Sequence, residues 1–227
     1  MAGELIKSEA ICLNIHPWSK TSHIVSWLTP YGKVSTVVKG AVRSKSFFLG
    51  QYDLNYTCEI VYYAGAKNEV HALRDAFALD RRDYLRDNYK ALLLAEYFRY
   101  LASTLAPHGP DAAPWYNLLS RALGGKTLSD LLEFEISALR LAGVSPDFHG
   151  CPEPFGEFHI EEGSFKGESS RKMPISPRVA SCLLNPSSEK NIEILLDAER
   201  VIGVYYNFHL EISSDRRRTL LQLIGGK

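Results

Sequence analysis

Residues 33–50, KVSTVVKGAVRSKSFFLG, carry Lys33, Lys39, Arg43 and Lys45 without a single acid, and Lys20 precedes them in the same acid-free window, Ala10 to Tyr52. The chain as a whole is balanced, with 26 Lys or Arg and 26 Asp or Glu. Its charge is therefore polarised along the sequence, and cations with no carboxylate beside them are suited to a phosphate backbone. In a strand, alternate residues share a face, so Lys33, Ser35, Val37 and Lys39 project together while Val34, Thr36 and Val38 point the other way. Tyr31, Phe47, Phe48 and Tyr52 are interleaved with the cations. Aromatic rings beside a basic groove hold single strands by stacking, at about 1–3 kcal/mol per base. The plainer reading is a solvated strand face, with Phe47 and Phe48 plugging the end of a barrel.

Catalysis would need a nucleophile with a base, paired carboxylates or a metal constellation. Ser22 and His23 are adjacent in a strand and point to opposite faces, and the chain has neither G-x-S-x-G nor a phosphate-binding P-loop pattern. Asp80 and Asp83, on either side of Arg81 and Arg82, read as charge at a helix start. The expectation is a protein that is not an enzyme and takes no cofactor. Of the four cysteines, scattered without a C-x-x-C pair, three read as small core residues.

The elements that must position the cations fall into two periods. Ile11, Leu13 and Ile15 alternate, as do Val34, Thr36 and Val38, and then Leu54, Tyr56, Cys58, Ile60 and Tyr62. Thr29-Pro30-Tyr31-Gly32 marks a turn between strands at 22–29 and 33–39, and Ala64–Asn68 a turn between 54–63 and 69–77. Five strands suit a small closed barrel. From Tyr84 the pattern turns helical, with one helix expected over 84–105. Further helices are expected at 111–125, from Leu128 to Gly143, at 176–185 and at 191–212. Residues 147–175 read as a mixed segment with a small hairpin. The predicted class is α+β, a five-stranded barrel over residues 1–80 followed by a helical domain over 81–227. No run approaches the roughly 18 apolar residues of a membrane span, and MAGELIKSEA lacks the apolar stretch of a secretion signal, so a cytoplasmic protein without membrane contact is expected.

Three stretches, Trp18-Ser19-Lys20-Thr21-Ser22-His23-Ile24-Val25, Thr29-Pro30-Tyr31-Gly32-Lys33-Val34 and Val38-Lys39-Gly40-Ala41-Val42-Arg43, resemble the opening of the recombination mediator RecO family. The stretch from Leu132 to Cys151, LEFEISALRLAGVSPDFHGC, is similar to the family's F-E-L-x-L-L-x-x-x-G-x-x-P-x-L-x-x-C run, and Tyr206–Leu210 to its late helix. The resemblance implies an OB-fold barrel before a helical domain and a protein of recombinational DNA repair. It also implies binding of single- and double-stranded DNA, annealing of complementary strands, and work with RecR and single-strand-binding protein (SSB) so that RecA can load. Lys33, Lys39, Arg43 and Lys45 match the family's basic barrel surface. Many members carry four thiolates for zinc, whereas here Cys151 is followed by Pro152-Glu153-Pro154 and no later cysteine pair. A four-ligand site would have to recruit His149, His159 and Cys182. The expectation is a degenerate loop without metal, held by Phe148, Phe155, Phe158 and Phe165.

In the helical half, Arg99, Arg121 and Arg140 lie beside apolar stripes and are candidates for gripping the acidic, hydrophobic SSB tail. Arg216, Arg217 and Arg218 are either a second DNA contact or charge complementing a helix C-terminus. The reading that competes with a DNA-binding mediator is a module that docks SSB or other repair partners and has little DNA binding of its own.

Overall fold

The computed structural model describes residues 4–64, 70–212 and 214–224. Strands β1 (Glu4–Pro17), β2 (His23–Thr29), β3 (Gly32–Val38), β4 (Thr57–Ala64) and β5 (Val70–Asp80) close into a barrel in the order β1-β2-β3-β5-β4. Every pairing is antiparallel except β3 with β5, which run parallel from Ser35↔Val70 to Val37↔Ala72. The long β1 pairs with β4 over its first part and β2 over its second, with a register shift between Cys12 and Asn14 where it turns the barrel corner. Of the expected turn at Ala64–Asn68, all beyond Ala64 lies outside the described residues.

The period-two pattern puts Thr36, Val38, Tyr56, Cys58, Ile60 and Tyr62 inside, with Val34 and Leu54 packed against the cluster. In β1 the expectation is corrected: Ala10 and Cys12 enter the barrel cluster together with Val25 and Trp27 of β2, whereas Ile11 and Leu13 are buried outside it and only Ile15, beyond the register shift, packs against it. Burial of each large apolar side chain there stabilises by about 1.5–3 kcal/mol. Thr36 is also fully buried, and its Oγ1 accepts a 2.9 Å hydrogen bond from Trp27 Nε1, so neither polar atom is stranded in the barrel. The α+β class read from the sequence holds.

The single helix expected over 84–105 is two pieces, α1 (Tyr84–Asp87) and α2 (Tyr89–Leu105), because Asn88 adopts extended dihedrals of −129° and 95°. A 3-10 turn at Pro110–Ala112 leads into α3 (Ala113–Ala122). Thr127 and Asp130 form a reciprocal capping box at the start of α4 (Leu128–Leu141). Ser176 caps α5 (Pro177–Leu184) and Asn191 caps α6 (Ile192–Leu210). The sequence reading missed the last helix, α7 (Ser214–Ile224). The chain forms two compact units, one made of residues up to Tyr89 together with Phe98–Leu123, the other of Lys90–Tyr97 and the chain from Gly124. Among the described residues no helix is long and apolar enough to cross a membrane.

The second unit corrects the expectation for the arginine cluster. Arg217, Leu220 and Ile224 lie at i, i+3 and i+7 on the buried stripe of α7. Arg217 donates to Glu135 from Nε at 2.8 Å and from Nη2 at 3.0 Å, and Nη2 also donates to the Glu199 carboxyl. Tyr97 Oη donates to Glu135 Oε1 at 2.7 Å, and Tyr206 Oη to the Glu135 carbonyl at 2.8 Å. Gly203 of α6 makes room for this group: a Cβ there would overlap Arg217 Nη1. Arg217 is therefore a core ion-pair partner and faces neither DNA nor solvent. Arg216 and Arg218 are exposed, and Arg218 pairs with Asp215 at 2.9 Å.

Candidate nucleic-acid interface

The β1–β2 loop and the turn after β3 are stitched together by their backbones. Trp18 and Ser19 N–H groups both donate to the Ser22 carbonyl, at 2.9 and 3.2 Å, and Val42 N–H reaches the Thr21 carbonyl at 3.4 Å. Ser22 Oγ accepts from Gly40 N–H at 3.4 Å. Gly40 has a φ of 70°, which glycine adopts without a Cβ penalty, and Arg43 N–H donates back to its carbonyl at 3.2 Å. The Arg43 side chain lies over the missing Cβ, with Cδ 3.4 Å from where it would be. The K-G-x-x-R spacing of Lys39-Gly40-Ala41-Val42-Arg43 thus has a physical reason: the glycine reverses the chain and brings Arg43 back over it, into the same cleft as Lys39.

The result is a cleft of about 460 Å³ lined by Trp18, Ser19, Thr21, Ser22, Val37, Lys39, Gly40 and Arg43. Two cations and no carboxylate face it. Among the described residues Lys20, Lys39, Arg43 and Lys45 have no ion-pair partner, and all four are exposed. Lys33 is placed differently. Its ammonium donates to the Ser103 carbonyl at 3.1 Å, and burial lowers its pKa from the usual lysine value. Strand alternation gave the correct face for Lys33, but within this unit the Lys33 end of that face meets Ser103 in the second half of α2, whereas Val37 and Lys39 at the other end line the cleft.

The aromatic candidates also separate. Tyr31 is 73% exposed and Phe47 96% exposed, so both present open rings. Phe48 packs on the barrel core, the role of a plug. Tyr52 is held in the barrel mouth: its hydroxyl lies 2.9 Å from His23 Nδ1, and its ring meets Trp27 edge-on at 5.9 Å. The sequence reading did not single out Trp18, which is 65% exposed and lines the cleft. Its position two residues before Lys20, inside the acid-free window, was the available signal.

Of the three arginines considered for tail capture, Arg99 is buried and donates to the Leu13 carbonyl and, at 3.2 Å, to Asn14 Oδ1, so it is a strut of the first unit. Arg121 is exposed and bonds its own helix at Asn117. Arg140 lines a cleft of about 540 Å³ in the second unit with Ile136, Phe148, Leu183 and Pro186, and the acids Glu133 and Asp147 line it too.

The 147–175 segment is organised by aromatics. Phe158 is fully buried, stacks on Phe148 at 4.9 Å and meets Phe165 edge-on at 5.4 Å, at the start of a two-stranded sheet of β6 (Gly156–His159) and β7 (Lys172–Ile175). Phe155 does not join them and is 63% exposed. Cys151 Sγ lies 3.3 Å from the Ile175 carbonyl, His149 pairs with Asp147 at 2.7 Å, His159 Nδ1 is 3.4 Å from Ser169 Oγ, and Cys182 is buried on α5. Among the described residues no group of three or more His, Cys, Asp or Glu is placed to hold a metal ion. Elemental analysis of purified protein is expected to find no stoichiometric zinc; one zinc per chain would contradict an aromatic loop core.

No family model matches the chain. Four curated proteins, all named DNA repair protein RecO, are similar to it. The protein of Rhodopirellula baltica is 31% identical over 153 residues, 63% of this chain and 55% of that protein. That of Alkaliphilus metalliredigens is 26% identical over 155 residues, 65% of this chain and 62% of its own length, and that of Syntrophotalea carbinolica 25% over 169 residues, 71% and 65%. The matched part of the chain thus spans little more than half to just under two thirds of these relatives. The similarity is to the RecO family, as the motifs in the sequence indicate.

Proposed function

We propose that this chain, similar to the RecO family, is a DNA-binding mediator of recombinational DNA repair that anneals complementary strands. The observation that carries the reading is the cleft holding Lys39 and Arg43 with no acid in its wall. Lys20 and Lys45, exposed and unpaired nearby in sequence, extend the phosphate-binding surface, and Tyr31 and Phe47 are open to bases. Cations that neutralise phosphates lower the repulsion between two strands brought together, which is the physical requirement for annealing. The surface binds double- as well as single-stranded DNA, because both present the phosphates that these cations neutralise.

Partner docking belongs to the same proposal. The Arg140 cleft sets a cation beside Ile136, Phe148, Leu183 and Pro186, with Glu133 and Asp147 also in its wall, and is a better place for the SSB tail than the buried Arg99 or the helix-bound Arg121. RecR and RecA complete the proposed partner set, and the protein acts without catalysis of its own in the cytoplasm. A pure docking module remains the second reading, favoured by this same cleft. Mixing two complementary labelled oligonucleotides with and without the protein separates them: the mediator reading expects faster duplex formation that salt suppresses, and an unchanged rate with no DNA binding would leave docking as the function.

A further inference from the structure

We propose that the cleft is a notch for one unstacked base, that Trp18 is its stacking wall, and that this makes the surface prefer single-stranded over double-stranded DNA. The inference rests on the reading of Lys39 and Arg43 as phosphate-binding groups. It adds a discrimination that those cations cannot provide, since a duplex offers them phosphates too.

Three observations carry it. Tryptophan is among the most buried side chains on average, and the other two, Trp27 at 0% and Trp115 at 2% exposed, follow that rule, whereas Trp18 is 65% exposed. Its exposure does not come from a loose loop: its own N–H and that of Ser19 converge on the Ser22 carbonyl, and Ser22 Oγ accepts from Gly40 across the cleft. The indole is thus mounted on the same stitched frame as Gly40 and Arg43. Finally, the cleft is chemically divided. Trp18 and Val37 supply an apolar wall, Lys39 and Arg43 supply charge, and no carboxylate intervenes. An apolar aromatic wall beside paired cations fits a nucleotide, whose flat face and phosphate need both. In a duplex each base is covered on both faces and paired at its edge, so an indole can stack only on a base that is out of the helix.

The other two tryptophans being buried makes Trp18 its own reporter. Tryptophan emission of the wild-type protein should be quenched on titration with a single-stranded oligonucleotide, and much less with the duplex of the same length. Measured by anisotropy, Trp18→Ala should lose about tenfold in affinity for the single strand, within the range known for one stacked base, and little for the duplex; Trp18→Phe should recover most of the loss. Equal losses on both DNAs, or none on either, would overturn the notch. The Lys39→Ala/Arg43→Ala variant in the same assay separates the two levels. If it weakens both DNAs while Trp18→Ala is silent, the phosphate surface stands and the notch falls; if it binds both as the wild type does, the phosphate reading fails and takes the notch with it.

Discussion

Arg217→Ala is expected to destabilise the protein by about 3–5 kcal/mol, the cost of leaving a buried charge without its partner. Glu135 and Glu199 are both fully buried, and Arg217 is the cation that faces them. Glu135 retains a hydrogen bond from Tyr97 after the truncation, but a neutral phenol does not replace a guanidinium. Urea unfolding followed by far-UV circular dichroism should show the loss; a midpoint unchanged from the wild type would mean that α7 is not anchored through this group. One cation between two buried carboxylates also leaves one acid in excess. Burial, followed by the charge of Glu135, raises the Glu199 pKa well above the ordinary carboxylate value, with Arg217 opposing. Glu199 Oε1 has no hydrogen-bond partner, so it is the natural atom to carry the proton. In the unfolded chain Glu199 would ionise near pH 4.3. Above that pH the native state holds a proton that the unfolded state has released, so this group's contribution to stability is full below about pH 4.3 and falls as pH rises towards the raised native value. Glu199→Gln, which cannot ionise, should flatten that decline when unfolding is followed from acid to mildly alkaline pH. A decline as steep as the wild type's would assign the pH dependence to other groups.

The second large effect is expected at the cleft. Lys39→Ala/Arg43→Ala should weaken binding to every DNA sequence alike, because both side chains face a wall without acids and neither has an ion-pair partner among the described residues. Both are exposed, so the double variant should melt with the wild type, and loss of binding would not be loss of fold. Lys33→Ala is the contrasting case. Its ammonium is already taken by the Ser103 carbonyl, so its removal should alter stability more than DNA affinity.

Period-two alternation was enough to place Val34, Thr36 and Val38 inward and to fix the five-strand barrel, because sheet geometry ties side-chain direction to position along the chain. The same rule correctly put Lys33 on the opposite face, but whether that face meets solvent or a helix is a tertiary fact that no local pattern contains. The run Arg216-Arg217-Arg218 misled for a related reason. Three adjacent arginines look like a surface cluster, yet on a helix consecutive residues are about 100° apart, and only Arg217 shares the stripe of Leu220 and Ile224. Had α7 been recognised, that stripe would have been legible. Arg99 was hidden in the same way on α2, where the acceptor is a strand carbonyl far away in sequence. The Lys39-Gly40-x-x-Arg43 element was legible as a motif, while its cause, the left-handed Gly40 under the Arg43 side chain, shows only in the folded chain.

The central claim is that the acid-free window faces phosphate. The most direct measurement is the salt dependence of binding to a fluorescent single-stranded oligonucleotide, for the wild type and for Lys39→Ala/Arg43→Ala. Log affinity should fall linearly with log salt. In the variant the slope should flatten by about 0.7 for each phosphate that is no longer neutralised, or about 1.4 for the pair. Equal slopes and equal affinities for the two proteins would contradict it.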